Sequence, residues 1–271
     1  MNLQIERYLD MLSRVMARGT IIKPRGIEVK EIEDLQLMVD PSWPFMTFED
    51  RKYDVGYFKK EMIWKLGANK YDASIQNHAT MWNQIQNPDG TYNSNYGQYW
   101  FGEQGGIWSV VTELIRDQDS RRVVIPMLNA SHMSPQTIDT VCTECVGFRL
   151  RPCKSGLCLN MSIHMRSSDI IYGLGTDIPT FAFLYRLVYG LIKESITLPL
   201  VVGTMMITAM SSHIYSKHYV MVNKILENGR STYHDHKMPF CEYPDALRII
   251  ASRGKREILD RSGKLGGWLC M

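Results

Sequence analysis

A chain of 271 residues, 45% hydrophobic and 22% charged, can bury a substantial core as one large domain or two small ones, and its balance excludes a disordered polymer. A formal net charge of +3 is too small to argue for a nucleic-acid partner, and the basic residues are spread along the chain, with Arg121-Arg122 the only adjacent arginine pair, which suits a phosphate-sized anion. Charges at Glu6, Arg7 and Asp10 argue against a secretory signal, and the longest apolar stretch, Leu198 to Met210, is far short of the roughly 20 residues of a membrane span, so the expectation is a cytoplasmic protein, off the membrane, whose six cysteines are thiols.

In chain order, Ile5, Tyr8 or Leu9, Leu12 and Val15 or Met16 recur at spacings of three and four and predict an amphipathic first helix. Tyr57 to Leu66 predicts a second, with Phe58, Met62 and Ile63 on one face. Val141 to Arg151 is strand-like, Pro152 to Gly156 is turn chemistry, and Leu157 to Arg166 alternates apolar with polar residues as a half-buried strand does. Phe181 to Ile192 predicts a largely buried helix with Pro179 in its first turn, and Leu200 to Met210 a buried strand. No repeat or linker divides the chain. The expectation is a single α+β domain over residues 1–271, with a large mixed, partly antiparallel sheet packed by helices.

Four of the six cysteines crowd into "TVCTECVGFRLRPCKSGLC", residues 140–158. Zinc wants two close ligand pairs, and Cys142, Cys145, Cys153 and Cys158 have that form superficially, but strand alternation puts Cys142 and Cys145 on opposite faces and leaves Cys158 inside the next strand. A thioredoxin-like pair would open a helix, whereas Val146 to Leu150 continues a strand. The remaining readings are four small sheet residues, or a nucleophile at Cys142 among them.

The order of short motifs around Cys142 decides between these. "EMIW" at Glu61, "MWNQI" at Met81, "NSNYG" at Asn93, "DQDSRR" ending at Arg122, "MRSSD" at Met165 and "SSHIYSKH" at Ser211 form a series that resembles the thymidylate synthase family, and looks closest to its phage deoxycytidylate hydroxymethylases. The resemblance runs from about Glu61 to His218, with a weaker echo at Lys23 to Gly26. Residues beyond about Tyr233 match nothing in it and are left as an unassigned extension, 233–271.

The resemblance implies a homodimer with shared active sites, a small nucleotide as substrate, 5,10-methylenetetrahydrofolate as cofactor and no metal. In such enzymes a cysteine thiolate adds to carbon 6 of a pyrimidine nucleotide and makes carbon 5 nucleophilic toward the folate's methylene; Cys142 stands at the matching position. Arg166 resembles the arginine that contacts phosphate and thiolate, Ser167 a further phosphate donor, and Arg121 and Arg122 the pair that reaches the partner's nucleotide. Pro24-Arg25-Gly26 replaces the family's Arg-Thr-Gly loop, so Arg25, or Lys23, takes the loop cation's place. His213 and Tyr215 share a strand face, as the family's ribose-binding pair does. Glu61 corresponds to the general acid/base and Tyr96 to the tyrosine near carbon 5. Trp82, Asp169 and Gly173 resemble folate-side residues, while Ile85 replaces the family's second tryptophan.

Two departures are informative. Asp177 stands where the synthases carry an asparagine that reads uracil; a carboxylate only accepts, which suits the amine and a protonated ring nitrogen of cytosine. Thr143 replaces the synthases' histidine, as in the hydroxymethylases. The expected activity is therefore hydroxymethylation of deoxycytidylate at carbon 5. Methylation of the same base, a ribonucleotide substrate, deoxyuridylate as substrate, and a non-enzymatic zinc protein are the alternatives.

Overall fold

The computed structural model describes residues 3–51, 53–102, 106–232 and 236–271. Helix α1 (Leu3–Arg18) leads into β1 (Thr20–Ile22) and β2 (Val29–Val39), followed by α2 (Val55–Leu66), the short α3 (Met81–Ile85) and α4 (Gly97–Phe101), and α5 (Gly106–Arg116). Then come β3 (Val124–Pro126), β4 (Thr143–Cys153), β5 (Gly156–Met165), the two-residue β6 (Ser168–Asp169), α6 (Gly173–Lys193) and β7 (Leu200–Tyr215). The chain continues through α7 (Tyr219–Asn228), α8 (Tyr243–Ala251), α9 (Arg256–Leu259) and α10 (Gly263–Cys270).

The strands form one mixed sheet in the order β1-β2-β7-β5-β4-β3, with β6 beside the end of β7. The β5–β7 and β6–β7 pairs are parallel and the others antiparallel. At the register shift after Leu159, the Tyr185 hydroxyl of α6 accepts from Gly203 N at 3.0 Å and donates to Leu159 O at 2.7 Å, so the two backbone groups freed by the irregularity are satisfied. One core runs from Ile5 to Leu269. Among the described residues, no helix is long and apolar enough to cross a membrane.

The first helix and the β4–β5 hairpin follow their patterns: Ile5, Tyr8, Leu12 and Val15 are buried, and so are Leu157, Leu159, Met161, Ile163 and Met165. Other elements depart from them. Helix α6 starts at Gly173, so Pro179 lies inside it and Asp177 is helical. Proline is tolerated there because the one bond it deletes is to the carbonyl of Gly175, still near the start of the helix. Strand β7 runs on to Tyr215 and is buried on one face only, with Thr204 and Met210 exposed. Its other face belongs to an exposed to half-buried sheet surface with Gln36, Met38, Ser162, His164, Met206 and Thr208, which α1 borders at Gln36, Met38 and Met206. In α2, Ile63 is only half-buried, while Glu61 and Lys65 are inside.

Tyr233, where the unassigned extension begins, lies outside the described residues. From Met238 onward the extension packs on the rest of the molecule. The fully buried Arg186 donates to the carbonyls of Met238 and Pro239, and Ile249, Leu259, Leu265 and Leu269 join the core.

Candidate active site

Helix α2 supplies the first groups. Asp54 caps it by accepting from Tyr57 N at 2.8 Å, and this fixes the phase that turns Glu61 inward. One turn later Lys65 points the same way, and its Nζ lies 2.6 Å from Glu61 Oε1 and 3.3 Å from Thr180 Oγ1 of α6. The pair is almost fully enclosed, its side chains 3% and 7% exposed.

The "NSNYG" turn holds Tyr96 against this pair. Asn93 and Ser94 donate to Asp139, the latter through N to Oδ2 at 2.7 Å, and Asn95 bridges Asn69 O and Gly97 N. Gly97 has to be glycine because a Cβ there would lie 1.5 Å from Lys65 O. Close approach of α4 to α2 then puts the Tyr96 ring 5.0 Å from Lys65 Nζ and its hydroxyl 3.2 Å from Thr143 Oγ1. Burial holds the Tyr96 hydroxyl well above its ordinary pKa, so it is a proton donor.

Cys142 immediately precedes β4. Arg166, just past β5, donates to the carbonyls of Val141 at 2.9 Å and Thr140 at 2.7 Å, and its Nη2 comes within 3.9 Å of Cys142 Sγ. One side chain therefore both fixes the loop and faces the sulfur. Burial still prevails: it pushes the thiol up to about 11, with Arg166 and Arg25 opposing, and Asp177 and Asp139 reinforcing. All six cysteines are free thiols, and Cys153 and Cys158 hydrogen-bond to one another across the β4–β5 hairpin.

Asp177 on α6 completes the acidic side. A Cβ on Gly173 would meet Asp169 Cβ at 3.4 Å and Asp177 Oδ2 at 3.9 Å, so these three residues adjoin. Burial raises the Asp177 carboxyl to about 7, with Lys65 opposing and Glu61 and Asp169 reinforcing the rise. Asp177 thus exchanges its proton near neutrality, beside a thiol, a tyrosine hydroxyl and a second carboxylate.

His213 and Tyr215 lie on one face of β7 with ring centroids 5.1 Å apart, and His213 pairs in register with Asp169. Arg25 sits in a left-handed turn at φ 53° and acts on both Cys142 and Tyr215, whereas Lys23 is engaged with Glu28 at 3.6 Å. Ser167 occupies the half-buried bend between Arg166 and β6. Two groups stand apart. Arg121 and Arg122 are exposed beyond α5, Arg122 acting on Glu113. Trp82 is 4% exposed in a satellite core with Trp64, Ile75 and Tyr92, and reaches Glu61 only through Tyr57, whose hydroxyl accepts from Trp82 Nε1 at 2.9 Å.

Sequence reasoning missed three residues. Lys65 carried a signal, since it lies four residues after Glu61 on the same helical face. Asp139 carried none: a lone aspartate before a strand reads as a loop residue. Arg51 belongs to none of the quoted motifs, yet it is 2% exposed, lies under the rings of Tyr53 and Tyr172, and packs against Gly175. Its Nε has no hydrogen-bond partner among the described residues.

The thymidylate synthase family model matches residues 6–246. The deoxycytidylate 5-hydroxymethyltransferase of Enterobacteria phage T4 is 24% identical over 219 residues, which cover 78% of this chain and 85% of the phage protein. The proteins of the same name from Enterobacteria phages T2 and T6 match with the same identity and coverage.

Proposed function

This chain belongs to the thymidylate synthase family, and on that premise we propose that it transfers a one-carbon unit from 5,10-methylenetetrahydrofolate to carbon 5 of deoxycytidine monophosphate, giving the 5-hydroxymethyl nucleotide. The observation that carries the choice of base is Asp177, a carboxyl that titrates near 7 and acts on Cys142, so that base reader and nucleophile share one site. Cytosine N3 is unprotonated at neutral pH. The carboxyl brings the missing proton, and the resulting carboxylate accepts from N3–H and from the 4-amino group.

In this reading Arg25, Arg166 and Ser167 hold the phosphate, and His213 and Tyr215 hold the sugar hydroxyl. Cys142 Sγ bonds to carbon 6 and leaves at the end of the cycle. Glu61 orders water and moves protons at the base ring, and Tyr96 donates near carbon 5. When bound, the folate supplies the electrophilic one-carbon unit. Asp169 and Gly173 adjoin Asp177 and fit a ring laid beside the base, and the unpartnered Nε of Arg51 fits a polar group of that cofactor. Trp82 fits less directly, because its ring is spent in the satellite core.

A homodimer is part of the proposal. The partly exposed sheet face around Ser162, His164, Met206 and Thr208 offers a surface for a second copy, and exposed Arg121 and Arg122 would serve the partner's phosphate. The base assignment is tested by turnover of both nucleotides. Asp177→Asn should weaken deoxycytidylate use and admit deoxyuridylate, moving the preference by roughly tenfold to a hundredfold. A wild-type preference for deoxyuridylate would overturn it.

A further inference from the structure

We propose that Lys65 is a specificity-determining residue of this site: its ammonium, wedged between Glu61, Thr180 and the Tyr96 ring, is the fixed countercharge that lets Asp177 hold cytosine as a carboxylate. The inference rests on the reading of Asp177 given above.

The geometry is that of a cation built into an acidic cluster. Lys65 Nζ is 2.6 Å from Glu61 Oε1, 3.3 Å from Thr180 Oγ1 and 5.0 Å from the centre of the Tyr96 ring, in a side chain that is 3% exposed. Among the described residues, every other ion pair has one side chain at least 58% exposed. The ionisable groups around Asp177 come from every neighbouring element. Glu61 and Lys65 are on α2, Asp169 is on β6, Tyr53 precedes α2, Tyr96 precedes α4 and Cys142 precedes β4. Thr180 stands three residues after Asp177 on α6, so the Lys65 ammonium, 3.3 Å from its hydroxyl, lies against the helix turn that carries Asp177; it favours the charged form of that carboxyl, while Glu61 and Asp169 oppose it.

The consequence for specificity follows from donors and acceptors. A neutral carboxyl has one donor and one acceptor, so by choosing which oxygen carries the proton it can match either the cytosine edge or the uracil edge. A carboxylate has acceptors only. It therefore matches cytosine once N3 has taken the proton, and uracil has no site that accepts a proton to present two donors in the same way. Discrimination depends on how readily Asp177 gives its proton to N3, and the cation that stabilises the carboxylate product is Lys65.

The experiment compares wild type with Lys65→Met, which keeps the length and removes the charge, and with Lys65→Gln, which keeps a polar contact to Glu61 and Thr180 in case the methionine variant does not fold. The Asp177 carboxyl is followed by carbon-13 NMR in nucleotide-free enzyme and assigned by its loss in Asp177→Asn. Binding of deoxycytidylate and deoxyuridylate is measured at one pH near 7. The expected result is a titration midpoint near 7 in wild type that rises by about a unit or more in the uncharged variants, with a fall of about tenfold in the preference for deoxycytidylate. A folded uncharged variant with an unmoved midpoint and unchanged preference would overturn the role of Lys65. Wild type without any preference for deoxycytidylate would instead overturn the base assignment, and the titration would still decide whether Lys65 sets the charge of Asp177.

Discussion

Cys142 poses an energetic problem that the nucleotide-free protein leaves unsolved. With its thiol raised to about 11 by burial, only about one sulfur in a thousand is ionised at pH 8, despite Arg166 at 3.9 Å. If Cys142 is the nucleophile proposed above, its thiolate forms in the substrate complex. Alkylation of Cys142 by iodoacetamide without nucleotide should accelerate about tenfold per pH unit from pH 8 to pH 10, and a plateau near pH 8 would contradict this. Cys142→Ser should abolish turnover while nucleotide binding survives, because a hydroxyl cannot supply the thiolate. Asp177 gives a second measurable sign. With burial raising its carboxyl to about 7, the free enzyme at pH 8 has mostly lost that proton, and under the proposed base assignment the deoxycytidylate complex regains it. Calorimetry in buffers of different ionisation enthalpy should show uptake of about one proton per site at pH 8, and none in Asp177→Asn. Motif order makes Cys142 and Asp177 candidates, whereas their ionisation cannot be read from the sequence. It depends on burial and on Lys65 and Arg166, which chain folding alone brings near.

The elements that carry these residues show where periodicity suffices. Strand β5 alternates without exception because one face is buried and the other is not. Helix α2 ends where expected, at Leu66, but it begins two residues earlier, at Val55, and it encloses an ion pair, and a hydrophobic pattern cannot announce a buried Glu61 or Lys65. The "NSNYG" turn read as a binding motif proves to be a clamp as well. Ser94 and Asn93 tie it to Asp139, and Gly97 lets it touch α2. Asp139→Ala should strand the Ser94 N and Oγ donors, while Asn93 keeps the backbone carbonyl of residue 139, and should cost about 1–3 kcal/mol, measured by urea unfolding. A loss below about 0.5 kcal/mol would show that the turn is held by other contacts. Pro179 reads as part of a first turn, and the helix nevertheless begins at Gly173, six residues before it, because the proline costs one early hydrogen bond only.

At the scale of the molecule, the class of the fold was legible and the strand order was not. Pairing of N-terminal β2 with β7 depends on contacts nearly two hundred residues apart, which no local window contains. The same holds for the C-terminal residues, whose place in the core is set by Arg186 and by the apolar faces of α8 and α10. If Arg121 and Arg122 complete a partner's site, mixing Arg122→Ala chains with Cys142→Ser chains should restore activity in heterodimers, since one of the two sites then has both groups intact. No recovery in demonstrated heterodimers would assign the arginines elsewhere. The most direct test of the proposed activity is the mass of the product formed from deoxycytidylate and from deoxyuridylate with 5,10-methylenetetrahydrofolate. Deoxycytidylate should gain the elements of CH2O, and deoxyuridylate should react poorly. A product that gains only CH2 would replace hydroxymethylation by methylation, and turnover confined to deoxyuridylate would contradict the assignment of the base.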